Sequence, residues 1–305
     1  MIEIKRVSSC PLTDVVEAWN SGFKGYFTEM TMTVDRFIQR MVHEGLSAED
    51  SIVAYVDGVP AGIVLNGFRI VDGKTISYNG GTGVAPEFRR TGIGKKMMES
   101  TIEIYKRKAV DTATLEAINE NSAAIKLYES LGYEITDRVD FLQQDGPLQP
   151  HFEDFEISPE YDFEHTTPEQ VSKLSFYQKE SPWQTQWQSA ANGEAVVASQ
   201  EGKQVGYALY RRSFKPDGNA AVIVLHQLGV DADFNNPYNL IDALLHKVLE
   251  PKQSCKRLII NLSREAKPQY ETVMNRGFST MISQVCMEKV IKEPIESNAK
   301  SIEKV

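Results

Sequence analysis

An internal repeat constrains this chain more than any other feature. Residues 52–65 (IVAYVDGVPAGIVL) align without gaps with residues 196–209 (VVASQEGKQVGYAL). Glycines of the first half recur in the second half in the same order, and the pairs are Gly58 with Gly202, Gly62 with Gly206, Gly83 with Gly229, and Gly132 with Gly277. Because one match can arise by chance but four in order rarely do, the pattern predicts a tandem duplication of one fold.

The repeated stretches also indicate the class of fold. In each of them a turn pair, Asp57-Gly58 or Glu201-Gly202, separates two β-rich runs, which predicts a β-hairpin. Runs with helical spacing alternate with further strands, so we predict an α/β or α+β sheet with helices packed on it. The expected domains are residues 1–145 and 146–292, followed by a charged tail at 293–305.

Length and composition exclude several classes of protein. The 305 residues suit two domains of medium size, and 41% hydrophobic with 25% charged residues is typical of a soluble globular protein. A net charge of −9 disfavours a nucleic-acid partner, and no apolar run approaches the length of a membrane span. The three cysteines and five histidines show no disulfide or metal-ligand spacing. We therefore expect a cytoplasmic protein without metal, membrane or nucleic-acid partners.

Residues 84–94 (VAPEFRRTGIG) form a candidate phosphate-binding turn between a predicted strand and a predicted helix. The start of a helix leaves backbone N–H groups unpaired and attracts phosphate. Gly92 and Gly94 remove side chains that would keep a pyrophosphate from these groups, and Arg89 and Arg90 can add charge-assisted contacts. Taken alone, the same residues could form an ordinary exposed loop. A dinucleotide-binding GxGxxG reading is disfavoured because the third glycine is absent.

This turn resembles the acetyl-CoA motif of the GNAT family of N-acetyltransferases, whose core is Arg/Gln-x-x-Gly-x-Gly/Ala. Arg89, Gly92 and Gly94 match that core. The resemblance implies two tandem domains, each a mixed and mostly antiparallel sheet flanked by helices, with acetyl-CoA as the cofactor. It also implies a set of residues that bind the cofactor, which are Val84, Arg89, Arg90, Thr91, Gly92, Ile93, Gly94 and Asn121.

A second motif lies at residues 121–133 (NSAAIKLYESLGY), where Asn121 is a good helix N-cap before an apolar stripe. The segment resembles the second GNAT signature, Asn-x-x-Ala-x-x-Leu-Tyr-x-x-x-Gly-Phe/Tyr, at every position. The resemblance implies that Asn121 contacts the cofactor and that Tyr128 is the catalytic acid that protonates the CoA thiolate. The alternative is that Tyr128 only packs in the apolar stripe.

The acceptor side carries weaker signals. The strand before the turn contains no carboxylate, so Glu29 or Glu116 from neighbouring elements is a candidate base. Tyr26, Glu29 and Asn79 are candidates for contacts with the substrate. The Gly80-Gly81 pair in the same strand indicates either a β-bulge or a close approach of the ligand to the backbone.

The second half loses the residues of both motifs. By the repeat register, Asn235, Tyr238 and Leu240 replace Arg89, Gly92 and Gly94, and Ala266 and Val273 replace Asn121 and Tyr128. We therefore predict a degenerate GNAT-like domain that covers exposed sheet, completes the acceptor pocket or mediates association.

The resemblance implies an N-acetyltransferase that transfers acetyl directly from acetyl-CoA to a primary amine of a small molecule or a peptide. The alternative is a noncatalytic acetyl-CoA-binding or regulatory protein, which the missing base and the degenerate half favour. Both a monomer and a homodimer remain open, because two fused domains can imitate a dimer within one chain.

Overall fold

A computed structural model describes residues 1–146, 148, 152 and 155–291. The predicted tail at 293–305 lies outside the described residues. In the first half the strands are β1 (Ile2–Arg6), β2 (Leu46–Val56), β3 (Val59–Val71), β4 (Lys74–Val84), β5 (Thr112–Ile118) and β6 (Glu134–Gly146). The helices of this half are α1 (Leu12–Gly22), α2 (Val34–His43), α3 (Ile93–Arg107) and α4 (Ser122–Ser130).

The second half repeats this order of elements. Its strands are β7 (Tyr161–Thr166), β8 (Glu194–Gln200), β9 (Lys203–Phe214), β10 (Ala220–Val230), β11 (Cys255–Ser263) and β12 (Ser279–Val290). Its helices are α5 (Pro168–Val171), α6 (Pro237–Leu249) and α7 (Lys267–Asn275). The single turn of α5 replaces the two longer helices that connect β1 to β2 in the first half.

The predicted hairpins are confirmed in both halves. At the β2–β3 turn, Asp57 and Gly58 have φ angles of 48° and 84°, and at the β8–β9 turn Glu201 and Gly202 have 51° and 77°. Two consecutive left-handed residues give a turn whose twist matches that of the flanking strands. Glycine at the second position adopts this conformation without strain, which explains why the repeat keeps it.

The strands of the described residues form one twelve-stranded sheet in the order β1-β2-β3-β4-β5-β12-β6-β11-β10-β9-β8-β7. The β4–β5 and β10–β11 pairs are parallel and the other pairs are antiparallel. The predicted fold class, a mixed and mostly antiparallel sheet flanked by helices, is thus confirmed.

The two halves exchange their last strands. β12 of the second half pairs with β5 of the first half, and β6 of the first half pairs with β11 of the second. β6 and β12 also pair with each other, so the sheet is continuous through the middle of the molecule. The predicted domain boundary at residue 145 falls inside β6, which pairs with strands of the second half, so this boundary stays a prediction.

Helices cover the two faces of the sheet. In the first half α3 and α4 pack on one face, and α1 and α2 pack on the other. The connection between α5 and β8 contains a stretch at residues 175–189, here called the bridging segment, which reaches from the second half to the first. Its Trp183 is buried in the core under α1 and α2, where the indole Nε1 donates to the carbonyl of Glu44 at 2.7 Å. Within the described residues no helix is long and apolar enough to cross a membrane.

Candidate functional site

A β-bulge shapes the end of β4. The pairing of β4 with β3 skips Gly80, which bulges out of the strand. The amide of Asn79 holds the bulge, because its Nδ2 donates to Thr82 Oγ1 at 2.8 Å and its Oδ1 accepts the N–H of Gly81 at 3.0 Å. Arg40 donates to the carbonyl of Gly80 from the other side. Of the two alternatives left open by the Gly80-Gly81 pair, the structure contains the bulge.

β4 and β5 separate immediately after the bulge begins. Their parallel pairing covers only Ile76–Asn79 on β4 and Thr112–Leu115 on β5. The remaining ends of the strands, residues 80–84 and 116–118, therefore diverge and form an opening that is here called the fork. Ligands of open α/β sheets bind at such places, beyond the carboxyl ends of neighbouring strands.

The predicted phosphate-binding turn forms an open helix start beside the fork. Arg90 and Gly92 have left-handed φ angles of 64° and 90°, and α3 begins immediately after them at Ile93. The first intrahelical bond runs from Lys96 N–H to the carbonyl of Gly92, and no described side chain caps the helix. The N–H groups of the first turn are thus available to an anion.

Gly94, in the first turn of α3, lies between Val84 at the end of β4 and Leu127 of α4. A Cβ built on Gly94 would lie 3.5 Å from Leu127 Cδ2 and 3.6 Å from Val84 Cγ2, which is ordinary van der Waals contact. Packing within the protein therefore does not require glycine at this position. A ligand bound between Val84 and Leu127 would require glycine here, because the methyl group of alanine would take up part of that space.

Arg89 and Thr91 build the turn with their side chains. The guanidinium of Arg89 donates through Nε to the carbonyl of Val84 at 2.9 Å and through a terminal nitrogen to the carbonyl of Lys24 at 2.8 Å. The hydroxyl of Thr91 donates to the carbonyl of Phe88 at 2.7 Å. Arg89 thus fastens the turn to the chain after α1, and direct contact of its guanidinium with pyrophosphate stays a prediction.

Several side chains predicted from the sequence meet at the fork. Tyr128 is buried, and this burial raises the pKa of its hydroxyl to about 12, although the adjacent Thr82 hydroxyl acts in the opposite direction. Asn121 caps α4 through Oδ1, which accepts the N–H of Ala124 at 3.2 Å. Burial also raises the pKa of Tyr26, while a hydrogen bond from the Asn121 side chain lowers it. Tyr26, Asn121 and Tyr128 are thereby brought together.

The other two acceptor candidates lie in different surroundings. Glu29 is exposed, and its carboxylate accepts the N–H of Thr31 at 2.8 Å. Asn79 is buried on the α3 side of the sheet, where Nδ2 also lies 3.3 Å from the Sδ of Met98. Both side chains therefore stabilise local structure, and a contact of either with substrate stays a prediction.

Glu116 lies on the opposite face of the fork from Tyr128. It is the first residue of β5 after the last pair with β4. Burial raises the pKa of its carboxyl to about 7, although the Tyr78 hydroxyl and the N–H of Trp183 act in the opposite direction. Tyr78 is itself held in place, because its ring stacks on Trp183 with centroids 5.0 Å apart. Sequence reasoning missed Trp183, since its partners lie more than a hundred positions away and leave no local signal.

Comparison with known proteins identifies the first half. A sequence model of the acetyltransferase (GNAT) family matches residues 12–133. This part of the chain belongs to the GNAT family. The [ribosomal protein bS18]-alanine N-acetyltransferase of Escherichia coli K12 is 42% identical over 50 residues, which are 16% of this chain and 34% of that protein. The chain thus spans about a third of the length of the curated relatives that it matches first.

Solved structures resemble both halves of the chain. A GNAT protein from Sphaerobacter thermophilus matches with a TM-score of 0.66 at 15% identity, covering 97% of this chain and 96% of that one. A tandem GNAT protein from the clavulanic acid biosynthesis pathway matches with a TM-score of 0.62 at 12% identity, covering 96% and 100%. The tandem GNAT fold therefore extends beyond the residues that the family model matches.

The second GNAT-like half lacks the glycines of the first-half turn, and Pro237 removes one N–H group from the start of α6. Leu240, which replaces Gly94, is completely buried and lies 3.1 Å from a Cβ built on Gly206. Asp231 accepts the N–H of Asp233 at 3.1 Å and forms an ion pair with Lys203 at 2.9 Å, so a carboxylate stands in the turn. Among the described residues no group of three His, Cys, Asp or Glu side chains is placed to hold a metal ion.

Proposed function

We propose that this protein is an acetyl-CoA-dependent N-acetyltransferase that transfers the acetyl group directly to an amine. The observation that carries the proposal is the uncapped start of α3, which begins immediately after the turn at Arg89–Gly92, next to the fork where Tyr128 is buried. An uncapped helix start that attracts an anion, a glycine in its first turn and a buried phenol suit a long ligand with a phosphate end and a reactive end. The GNAT match over residues 12–133 supports the same ligand.

The residues of this region divide into two tasks. The N–H groups at Ile93, Gly94 and Lys95, together with the exposed Arg90, would bind the pyrophosphate of CoA. Val84 and Leu127 would flank the pantetheine arm on its way into the fork. When bound, acetyl-CoA supplies an activated acetyl thioester.

Tyr128 and Glu116 would handle protons on the two faces of the fork. Because the pKa of Tyr128 is raised to about 12, its Oη keeps its proton at neutral pH and can donate it to the departing sulfur. Because the pKa of Glu116 is raised to about 7, its carboxylate can accept a proton from the acceptor amine near neutral pH. Binding the acetyl thioester and the amine together in the fork would supply much of the rate acceleration through proximity.

Calorimetric titration of acetyl-CoA, followed by a transfer assay on a panel of amines, tests this function. Gly94→Ala keeps the fold, since its Cβ meets only ordinary contacts and alanine favours a helix. We expect this added methyl group to weaken acetyl-CoA binding about tenfold or more. Glu99→Ala, at an exposed position of the same helix, is the matched control and should bind like wild type.

The outcomes separate the enzyme from its alternative. Binding that Gly94→Ala weakens, together with acetylation of an amine, supports the transferase. Binding without transfer to any amine of the panel would favour the noncatalytic acetyl-CoA-binding protein. Absence of binding by folded wild type would refute both.

A further inference from the structure

Two cavities lie side by side beneath the bridging segment. One has a volume of about 370 Å³ and follows β5 and β12 as far as Glu116. The other has a volume of about 620 Å³ and reaches the ends of β10 and β11. Asp72, Asp137, Lys179 and Glu180 line both cavities. The two cavities are therefore adjacent, and together they are here called the central groove, with one lobe at Glu116 and the other in the second half.

The second-half lobe ends at an opening like the fork. β10 and β11 pair in parallel only over Val222–Leu225 and Lys256–Ile259, and then they separate. Asn261 lies two positions after the last pair on β11, where the register of β11 with β6 is interrupted, and it lines the lobe. By the register that aligns Gly132 with Gly277, Asn261 occupies the place of Glu116. The groove thus has Glu116 at one end and its repeat counterpart at the other.

Asn261 carries polar atoms that the protein leaves unused. Only 3% of the residue is exposed, yet neither Nδ2 nor Oδ1 has a hydrogen-bond partner among the described residues. The backbone of Asn261 is left-handed, with a φ of 47°, and asparagine tolerates this region better than most residues. This backbone conformation does not explain why the side-chain amide is buried without hydrogen-bond partners. Such an amide destabilises a fold unless a ligand or water binds it.

His226 adds a second unused atom to the same lobe. Its Nδ1 lies 3.0 Å from the carbonyl of Gln184 and therefore carries the hydrogen. Burial lowers the pKa of the ring, so the ring is neutral at pH 7 and Nε2 presents a lone pair. Nε2 has no partner among the described residues. The lobe therefore offers Asn261 Nδ2 as a donor and Asn261 Oδ1 and His226 Nε2 as acceptors, which suit an uncharged amide or hydroxyl group.

The middle of the groove is negatively charged. Asp72, Asp137 and Glu180 face it, and Lys179, which also lines both lobes, forms an ion pair with Asp72 at 2.8 Å. A cationic amine is attracted to such a space, whereas a carboxylate is repelled. The two lobes together have the size of a small-molecule site.

We propose that the acceptor is a small elongated amine that lies along the central groove, with its amine at Glu116 and an uncharged amide or hydroxyl end bound by Asn261 and His226. This inference rests on the proposed transferase function. It gives the second half a task in that reaction, because this half selects the acceptor by its far end.

Linear ω-amino carboxamides of increasing length are the probes for this proposal, compared with alkylamines and ω-amino carboxylates of the same length. We expect kcat/KM for acetyl transfer to be highest for a carboxamide of one intermediate length. Asn261→Gly removes the amide and keeps the left-handed backbone unstrained. It should raise KM for that carboxamide about tenfold to a hundredfold and leave kcat/KM for the alkylamine unchanged. Asn192→Gly, at an exposed loop position, is the control.

A binding measurement keeps this inference separate from the proposed function. The carboxamides are titrated by calorimetry into wild type and Asn261→Gly in the absence of acetyl-CoA. Binding that Asn261→Gly abolishes supports the site even if no acetyl transfer is found. Equal preference for carboxamide and alkylamine in wild type, or the same preference in wild type and Asn261→Gly, would overturn the inference while leaving the transferase intact. Absence of carboxamide binding and transfer in folded wild type would overturn it as well.

Discussion

Glu116→Gln should lower the activity of the protein and raise its stability at alkaline pH. With a pKa of about 7, the ionised fraction of Glu116 rises from about a tenth at pH 6 to about nine-tenths at pH 8. If Glu116 is the base, kcat/KM of wild type rises about tenfold over this interval. Glutamine does not titrate in this interval and cannot act as a base. The variant should therefore lose about 10²-fold to 10⁴-fold in kcat/KM and lose this pH dependence.

The same substitution should stabilise the fold at alkaline pH. Because the folded-state pKa lies above the usual 4.5, the folded protein binds the proton more tightly, and stability is lost as pH rises from about 4.5 through 7. The rise in pKa corresponds to an upper limit of about 3 kcal/mol at pH 8. Glutamine stays neutral and escapes this cost, so the variant should unfold at a higher temperature than wild type at pH 8, with a smaller difference at pH 5.

The assay must isolate the titration of Glu116 from that of the acceptor. Release of the CoA thiol is followed between pH 6 and 8 with an aromatic amine acceptor, whose weakly basic nitrogen stays neutral over this interval. Thermal unfolding is followed in the same buffers. Glu17→Gln, at an exposed position of α1, is the control and should change neither measurement. An unchanged pH–rate profile in Glu116→Gln, or a lower unfolding temperature at pH 8, would refute the reasoning.

Three further substitutions test other parts of the structure. Tyr128→Phe should lower kcat about 10²-fold without changing the affinity for acetyl-CoA in calorimetry, and an unchanged kcat would contradict its role as an acid. Trp183→Ala should lower the free energy of unfolding in urea by about 3–5 kcal/mol because the buried indole is lost, and a loss below about 1 kcal/mol would contradict this. Arg257→Met should cost at least about 2 kcal/mol in the same assay, because the buried guanidinium donates to the carbonyls of Leu249 and Gly146. Retained stability would count against that role.

Local signals in the sequence predicted much of the cofactor side. The cap at Asn121, the turn at Asp57-Gly58 and the helix after Gly92 depend on residues close together in the chain, and the structure contains all three. Such features could be predicted because caps and left-handed turns are decided by the chemistry of one or two residues.

Long-range contacts account for what the sequence did not reveal. The exchange of β6 and β12 depends on pairing between strands more than a hundred positions apart, and an alternating strand pattern does not specify its partner. The guanidinium of Arg89 was expected near phosphate, but it donates to carbonyls at Val84 and Lys24 that only the folded chain brings close. Glu116 was one of two candidate bases, and its surroundings depend on a tryptophan from the other half.

The exchanged strands impose an order on how the molecule is made. Translation delivers the whole GNAT-matched region first, but the neighbour that β5 needs, β12, begins only at Ser279. Until that strand leaves the ribosome, the nascent chain carries an unpaired edge on β5, and such edges capture strands from other molecules. Two nascent chains on one messenger can therefore donate strands to each other and become interlocked dimers. The half that holds the phosphate-binding turn is synthesised first and completed last.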